Sequence, residues 1–196
     1  MRCLKIEPVI VVPEQKGISK LIKKIKETPF QADVMSLYYI SLYPNLEIPE
    51  KNKNNLVEKV AGIVKEAESF ILRPKEVGCR NNKIVVYFKE SQEIIEIHAK
   101  VITILSRFRE DHVAEKFREE DYVQAFSEEK QRNIRNYGSP DVMDLYHPYF
   151  TVCEMENSKE AVEVSSKFKI KMKNFSLKNI GVYNIGQQEI IKEFKV

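Results

Sequence analysis

Hydrophobic and polar positions alternate along this chain with two clear periods. Leu4 to Val12 reads as a strand, its apolar end bracketed by Pro8 and Pro13. Ile18, Leu21, Ile22 and Ile25 then follow the i, i+3, i+4, i+7 spacing of a helix, with lysines at most positions between. Leu37 to Tyr43 predicts a short strand stopped by Pro44-Asn45, and Leu56, Val60, Ile63, Val64 and Ala67 predict a second helix. Phe70 to Leu72 and Ile84 to Phe88 predict strands. Ile94 to Phe108 carries the longest helical stripe. Tyr146 to Glu154 predicts a strand, Lys159 to Ser166 a helix, and Phe168 to Met172, Leu177 to Tyr183 and Glu189 to Phe194 three further strands. Strands dispersed among helices, with hairpins, specify an α+β fold: two pseudo-symmetric lobes of mixed or antiparallel sheet with outer helices.

One stretch breaks the pattern. Between Arg107 and Arg135, seven basic side chains face eight acidic ones and no apolar period persists. We read 107–141 as a charged insertion or cap, mostly plain solvated surface, within one bilobal domain spanning 1–196.

Composition narrows the classes of function. The chain has 196 residues, 43% of them hydrophobic and 31% charged, so it can bury a core and keep a solvated surface. A net charge of +3 does not by itself mark a nucleic-acid binder. Cys3, Cys79 and Cys153 are scattered, without metal-ligand spacing or a disulfide pattern, which predicts no metal, no cofactor and a reducing cytoplasmic setting. No apolar run approaches the ~20 residues of a membrane helix, so no membrane partner is expected.

The informative pattern occurs twice. Tyr39-Ile40-Ser41-Leu42 and Tyr149-Phe150-Thr151-Val152 share the form Tyr-apolar-hydroxyl-apolar. On a strand, alternate residues share a face, so Tyr39 and Ser41 point one way, as do Tyr149 and Thr151. Two such strands facing a central cleft would bring four hydroxyls to an anionic group such as phosphate. High strand propensity alone also accounts for Tyr and Thr at these positions.

In these motifs the chain resembles the 2H phosphoesterase superfamily, which includes the 2′-5′ RNA ligase-like proteins and RNA cyclic phosphodiesterases. Its mark is a pair of His-apolar-(Thr/Ser)-apolar strands, one per lobe. The second is often preceded by Pro, as in His147-Pro148-Tyr149-Phe150-Thr151-Val152; the first often leads into a Pro-containing turn, as in Ser41-Leu42-Tyr43-Pro44. The resemblance covers nearly the whole chain. It implies a phosphate held by Ser41 and Thr151, and a general acid and base at positions 39 and 149. Both positions are tyrosine here. Histidine, with a pKa of ~6.5, exchanges protons near neutrality. Tyrosine, at ~10, is ionised in only about one molecule in a thousand at pH 7 and would need a depression of roughly 2–3 units to serve.

The remaining candidates are fewer. His147, two residues before Tyr149, shares its face if the strand is regular and is the catalytic alternative; His98 falls on an apolar helical stripe and reads as core; His112 falls in the charged insertion. Lys167, Lys169, Lys171 and Lys173 alternate with Phe168, Ile170 and Met172, so a strand there would present either a solvated lysine face or an electrostatic track for RNA. Arg73, Lys75 and Arg80 are further cations of unassigned place. Three functions stay open: a catalytically degenerate binder of RNA ends, cyclic phosphates or nucleotides; an active cyclic phosphodiesterase with altered groups; and a non-catalytic structural or interaction module.

Overall fold

The computed structural model describes residues 2–169 and 171–196. In chain order the elements are β1 (Cys3–Val11), α1 (Lys16–Lys26), β2 (Ala32–Val34), β3 (Tyr39–Ser41), β4 (Glu47–Pro49), α2 (Lys53–Lys65), β5 (Ile71–Leu72), β6 (Pro74–Arg80), β7 (Lys83–Phe88) and α3 (Gln92–Leu105). After them come α4 (Glu120–Gln124), α5 (Glu128–Tyr137), β8 (Tyr149–Met155), α6 (Ser158–Ser166), β9 (Phe175–Ser176), β10 (Asn179–Asn184) and β11 (Glu189–Lys195).

Two antiparallel sheets form the lobes. One has the order β11-β10-β1-β3, with β4 also pairing β1; the other has the order β2-β8-β7-β6. The lobes interleave in sequence, since β2 joins the second sheet while β10 and β11 return to the first. Helices α2 and α3 pack on each other and α2 on the first sheet, while α6 covers the second. The fold is thus the two-lobed α+β arrangement that the periodicities predict. No helix among the described residues is long and apolar enough to cross a membrane.

The motif strands obey the rule of alternation. Ile40 is fully buried between the half-buried Tyr39 and Ser41, and Phe150 and Val152 are fully buried around the half-buried Thr151. Burying each such side chain contributes roughly 1.5–3 kcal/mol. A one-residue slip of register would expose the apolar set and bury the hydroxyls, so the core fixes which face meets the cleft.

Helix α1 also follows its pattern. Ile18, Leu21 and Ile25 are buried, and Lys23, Lys24 and Lys26 crowd the last turn, where they complement the helix dipole. Gly17 is required at its start: a Cβ there would lie 2.8 Å from the Lys171 carbonyl oxygen. The chain at 171–172 therefore crosses α1 at close range.

That crossing corrects one expectation. Phe168, Lys169, Lys171 and Met172 lie in no strand, and Ile170, central to the predicted strand, lies outside the described residues. Without a strand, the alternation of Lys167, Lys169, Lys171 and Lys173 does not place them on one face. Lys167 Nζ pairs with Glu163 on α6 at 2.8 Å, and the Lys173 N–H donates to Gln15 Oε1 at 3.2 Å.

His98 is fully buried, as its place on the α3 stripe predicts. Its Nδ1 lies 2.8 Å from the Leu42 carbonyl, and its Nε2 accepts the Met143 N–H at 2.8 Å. These partners require a neutral imidazole, protonated on Nδ1. The ring stacks on Tyr146 with centroids 3.7 Å apart. Burial pushes its pKa down to about 4. Because the folded value lies below the unfolded one, the unfolded state takes up the proton first. Stability should therefore fall as pH drops from about 6.5 to about 4, by at most ~3 kcal/mol, and lose no more from this group below that. Denaturant midpoints measured across this range check the loss, and an NMR titration of His98 near 6.5 would contradict it.

Candidate functional site

The two motif strands line one cavity. Tyr39 and Ser41 from β3, and Tyr149 and Thr151 from β8, all contribute to a cleft of about 520 Å³. Strand β3 reaches it by pairing with β1, where Val11 opposes Tyr39 and Val9 opposes Ser41. Strand β8 reaches it by pairing with β7, where Tyr87 opposes Tyr149 and Val85 opposes Thr151.

The β1 pairing brings an additional group. Glu7 is two residues along from Val9, so it shares the cleft face, and it is only 6% exposed. Its Oε1 accepts the Asn45 N–H at 2.6 Å. Burial raises its pKa above the ordinary 4.5, opposed by the neighbouring Ser41 hydroxyl, the Asn45 N–H and the more distant Lys116 and Lys83. Ser41 Oγ is itself buried without a well-formed hydrogen bond to any described residue. Its polar neighbour is the Glu7 carboxylate, whose pKa it helps to hold down.

The tyrosines are surrounded by rings and charge. Tyr39 packs against Tyr183 with centroids 4.6 Å apart, and Tyr149 against Tyr87 at 5.9 Å. The Arg80 guanidinium lies over the Tyr149 ring, 5.1 Å from its centroid. Burial, with the Glu7 carboxylate and the neighbouring phenols of Tyr183 and Tyr149, pushes the Tyr39 pKa well above 10. Burial also raises that of Tyr149, although Arg80 acts against it. Both shifts run opposite to the depression a tyrosine base would need. At neutral pH both phenols are hydrogen-bond donors.

His147 also lines the cavity, from the chain ahead of β8 rather than from the strand itself. The strand begins at Tyr149, after Pro148, so the alternation does not extend back to position 147. The imidazole is 57% exposed at the cavity's edge, and its Nδ1 lies 2.6 Å from Glu90 Oε1. His112, in the inserted segment, lies beside Cys3, with Sγ 3.7 Å from Nδ1. Of the further cations, Arg80 lines the cleft, whereas Arg73, Lys75 and the described part of the 167–173 lysine run do not.

The 107–141 stretch, read from sequence as an insertion or cap, supplies lining residues that the sequence reading did not name. Lys116, Phe117, Tyr122, Phe126, Lys130 and Asp141 line the cavity, so this stretch covers the cleft rather than forming plain surface. It has a small core of its own, Ala114, Phe117 and Ile134. Its root is fixed by Arg109, which donates to the His112 and Asn136 carbonyls at 2.8 and 2.9 Å. Gly138, left-handed at φ 73°, ends α5 and leaves room for that guanidinium. Asp141 pairs with both Arg80 and Lys130. Lys83, also in the cleft, lies 3.6 Å from Glu154. Four cations thus line a cavity with two carboxylates, Glu7 and Asp141. No group of three or more His, Cys, Asp or Glu among the described residues is arranged to hold a metal.

The fold has known counterparts. Escherichia coli LigT superposes with a TM-score of 0.62 at 11% identity, over 100% of this chain and 99% of that one, both in its apo form and in a complex with 3′-AMP. A structure described as a phosphoesterase gives 0.61 at 12% identity, over 98% of each chain. At such identity the likeness is one of fold. In sequence, the profile of the family described as "Protein of unknown function (DUF1045)" matches residues 44–187. No curated protein matches the chain in sequence.

Glu7 generates a test of its own. Its folded pKa lies above the unfolded one, so its contribution to stability is fully present below about 4.5 and is lost as pH rises through the folded value. Glu7→Gln, which keeps an oxygen for the Asn45 N–H, should raise the denaturation midpoint at pH 7, and the gain should vanish below pH 4.5. A lower midpoint at pH 7 would show that the carboxylate is held by net-favourable contacts.

Proposed function

We propose that this chain, which belongs to the DUF1045 family and shares the fold of LigT, binds phosphate esters of the nucleotide or RNA-end class in its cleft without a histidine acid–base pair. On this reading it is a catalytically degenerate relative of the 2H phosphoesterases, placed there by the motif resemblance and supported by the fold.

The observation that carries the proposal is the company kept by the four motif side chains. Tyr39, Ser41, Tyr149 and Thr151 share a cavity with Arg80, Lys83, Lys116 and Lys130. Hydroxyl donors and cations together match an anionic oxygen cluster, and hydrogen bonds to charged groups are worth ~1.5–3 kcal/mol each. Ser41 sits on the cleft wall beside the Glu7 carboxylate, its Oγ buried without a well-formed hydrogen bond among the described residues. The LigT complexes with 3′-AMP and with phosphate supply ligands to try.

Proton transfer is where the cleft departs from the resemblance. In-line displacement at phosphorus calls for a group that takes a proton on one side and one that gives a proton on the other. Burial raises the pKa values of the phenols at 39 and 149 and so holds them protonated, as donors that bind rather than shuttle.

Calorimetric titration with 3′-AMP should show saturable binding that inorganic phosphate displaces. Ser41→Ala with Thr151→Val should weaken it roughly 10- to 100-fold. A 2′,3′-cyclic nucleotide should be bound and left intact. Absence of saturable binding at millimolar concentration would overturn the phosphate reading. Turnover lost in Tyr149→Phe would overturn the non-catalytic one.

A further inference from the structure

Three large apolar side chains stand out in solvent among the described residues: Ile71, Tyr122 and Val162, at 49, 46 and 57% exposure. Only Tyr122 of these lines the cleft. It belongs to an aromatic cluster. Its ring lies nearly parallel to Phe117, with centroids 6.2 Å apart at 22°, and edge-on to Phe126 at 5.3 Å. Phe117 is anchored in the small core of the inserted segment, so the cluster is backed by packed residues while Tyr122 keeps an open surface. The same segment carries Lys116, whose Nζ lies 4.8 Å from the Phe117 centroid, and Lys130, 5.8 Å from that of Phe126. Both lysines also line the cleft.

An exposed ring that faces a cavity, supported from behind and flanked by cations, has the features of a stacking surface for a planar group attached to an anion. The cleft's volume, about 520 Å³, falls in the range that holds a whole small-molecule ligand rather than an ion alone.

We propose that the Phe117–Tyr122–Phe126 cluster is the base-recognition subsite of the cleft: it stacks the nucleobase of a phosphate ester whose phosphate lies toward Ser41 and Thr151. This rests on the phosphate reading above and adds to it the requirement for an aromatic base. Stacking discriminates weakly among bases, because every base offers a π face. The subsite therefore selects nucleotides and RNA ends against sugar phosphates without strong preference for one base.

The test compares three probes by calorimetry: inorganic phosphate, ribose phosphate and adenosine monophosphate. The wild-type chain should bind adenosine monophosphate about 5- to 100-fold more tightly than ribose phosphate. Tyr122→Ala should abolish that difference while leaving the affinity for inorganic phosphate unchanged, and Tyr122→Phe should keep it. Circular dichroism of both variants checks that the inserted segment stays folded. If inorganic phosphate binds but the base adds nothing, or if Tyr122→Ala retains the full difference, the stacking subsite is overturned and the phosphate cleft stands. If none of the three binds, the phosphate reading falls, and the subsite falls with it.

Discussion

The cleft depends on two short strands, β3 and β8, that belong to different sheets yet must hold a fixed separation. One apolar core packs Ile40 and Leu42 together with Phe150 and Val152, and polar contacts between the chain at and after β3 and the chain before β8 fix the register of that packing. The buried imidazole of His98 bridges the Leu42 carbonyl and the Met143 N–H. The Tyr146 hydroxyl donates to the Ser41 carbonyl at 3.0 Å, and the Tyr43 hydroxyl to the Tyr137 carbonyl at 2.7 Å. Asn45 Nδ2 donates to Ser139 Oγ at 3.2 Å. Each such bond adds only ~0.5–1.5 kcal/mol net, but each buried partner left unpaired costs ~1–3 kcal/mol. A relative shift of the lobes would break several together, so the spacing is specified more strongly than any single bond implies.

Given that spacing, alternation decides the chemistry of the walls. The apolar members of each motif are committed to the cores, and the hydroxyl members have only the cleft to face. The inserted segment closes over them because its root is tied to the same lacing: Tyr137, Ser139 and Met143 are both its return path and the partners of Tyr43, Asn45 and His98. Position of the cap and separation of the motif strands are therefore one structural decision.

The sequence made parts of this legible. The twin motifs and α1 followed their periods because each is decided locally, by which residues can be buried on one face. Other features are set by distant partners. Lys167 to Lys173 alternates as regularly as any strand in the chain, yet its described residues lie outside every strand. Alternation becomes a strand only where an edge is available to pair with, and this stretch instead crosses Gly17 of α1. Strand β2, only Ala32 to Val34, is too short to carry a period and exists because β8 offers Cys153 to Met155 as its partner. The 107–141 stretch reads as surface because its charges balance and because Tyr122 and Phe126, although at i, i+4 spacing, belong to too short an apolar pattern to stand out; Phe117 joins them from ahead of α4. Glu7 did leave a signal, as the carboxylate inside the apolar stretch between Ile6 and Val9, on the face that pairing later assigns to the cleft.

If the cleft is that of a 2H phosphoesterase relative, as proposed, phenols in place of imidazoles at positions 39 and 149 keep one property of such a site and weaken another. A phenol still donates to an anionic oxygen, so binding is compatible with either residue. Proton exchange by these two phenols is disfavoured, because the neighbours that shape the cleft also raise their pKa values. Burial, the Glu7 carboxylate and the neighbouring phenols all oppose a negative charge on Tyr39. The cleft group moved toward neutrality is instead Glu7, held beneath the hydroxyls by the Asn45 N–H. Of the imidazoles, His147 lines the same cavity at its rim and pairs with Glu90, while His98 is spent on holding the lobes together. The other carboxylate of the cleft, Asp141, is paired with Arg80 and Lys130. On the proposed function, recognition falls to the hydroxyl donors of the two motif strands together with Arg80, Lys83, Lys116 and Lys130.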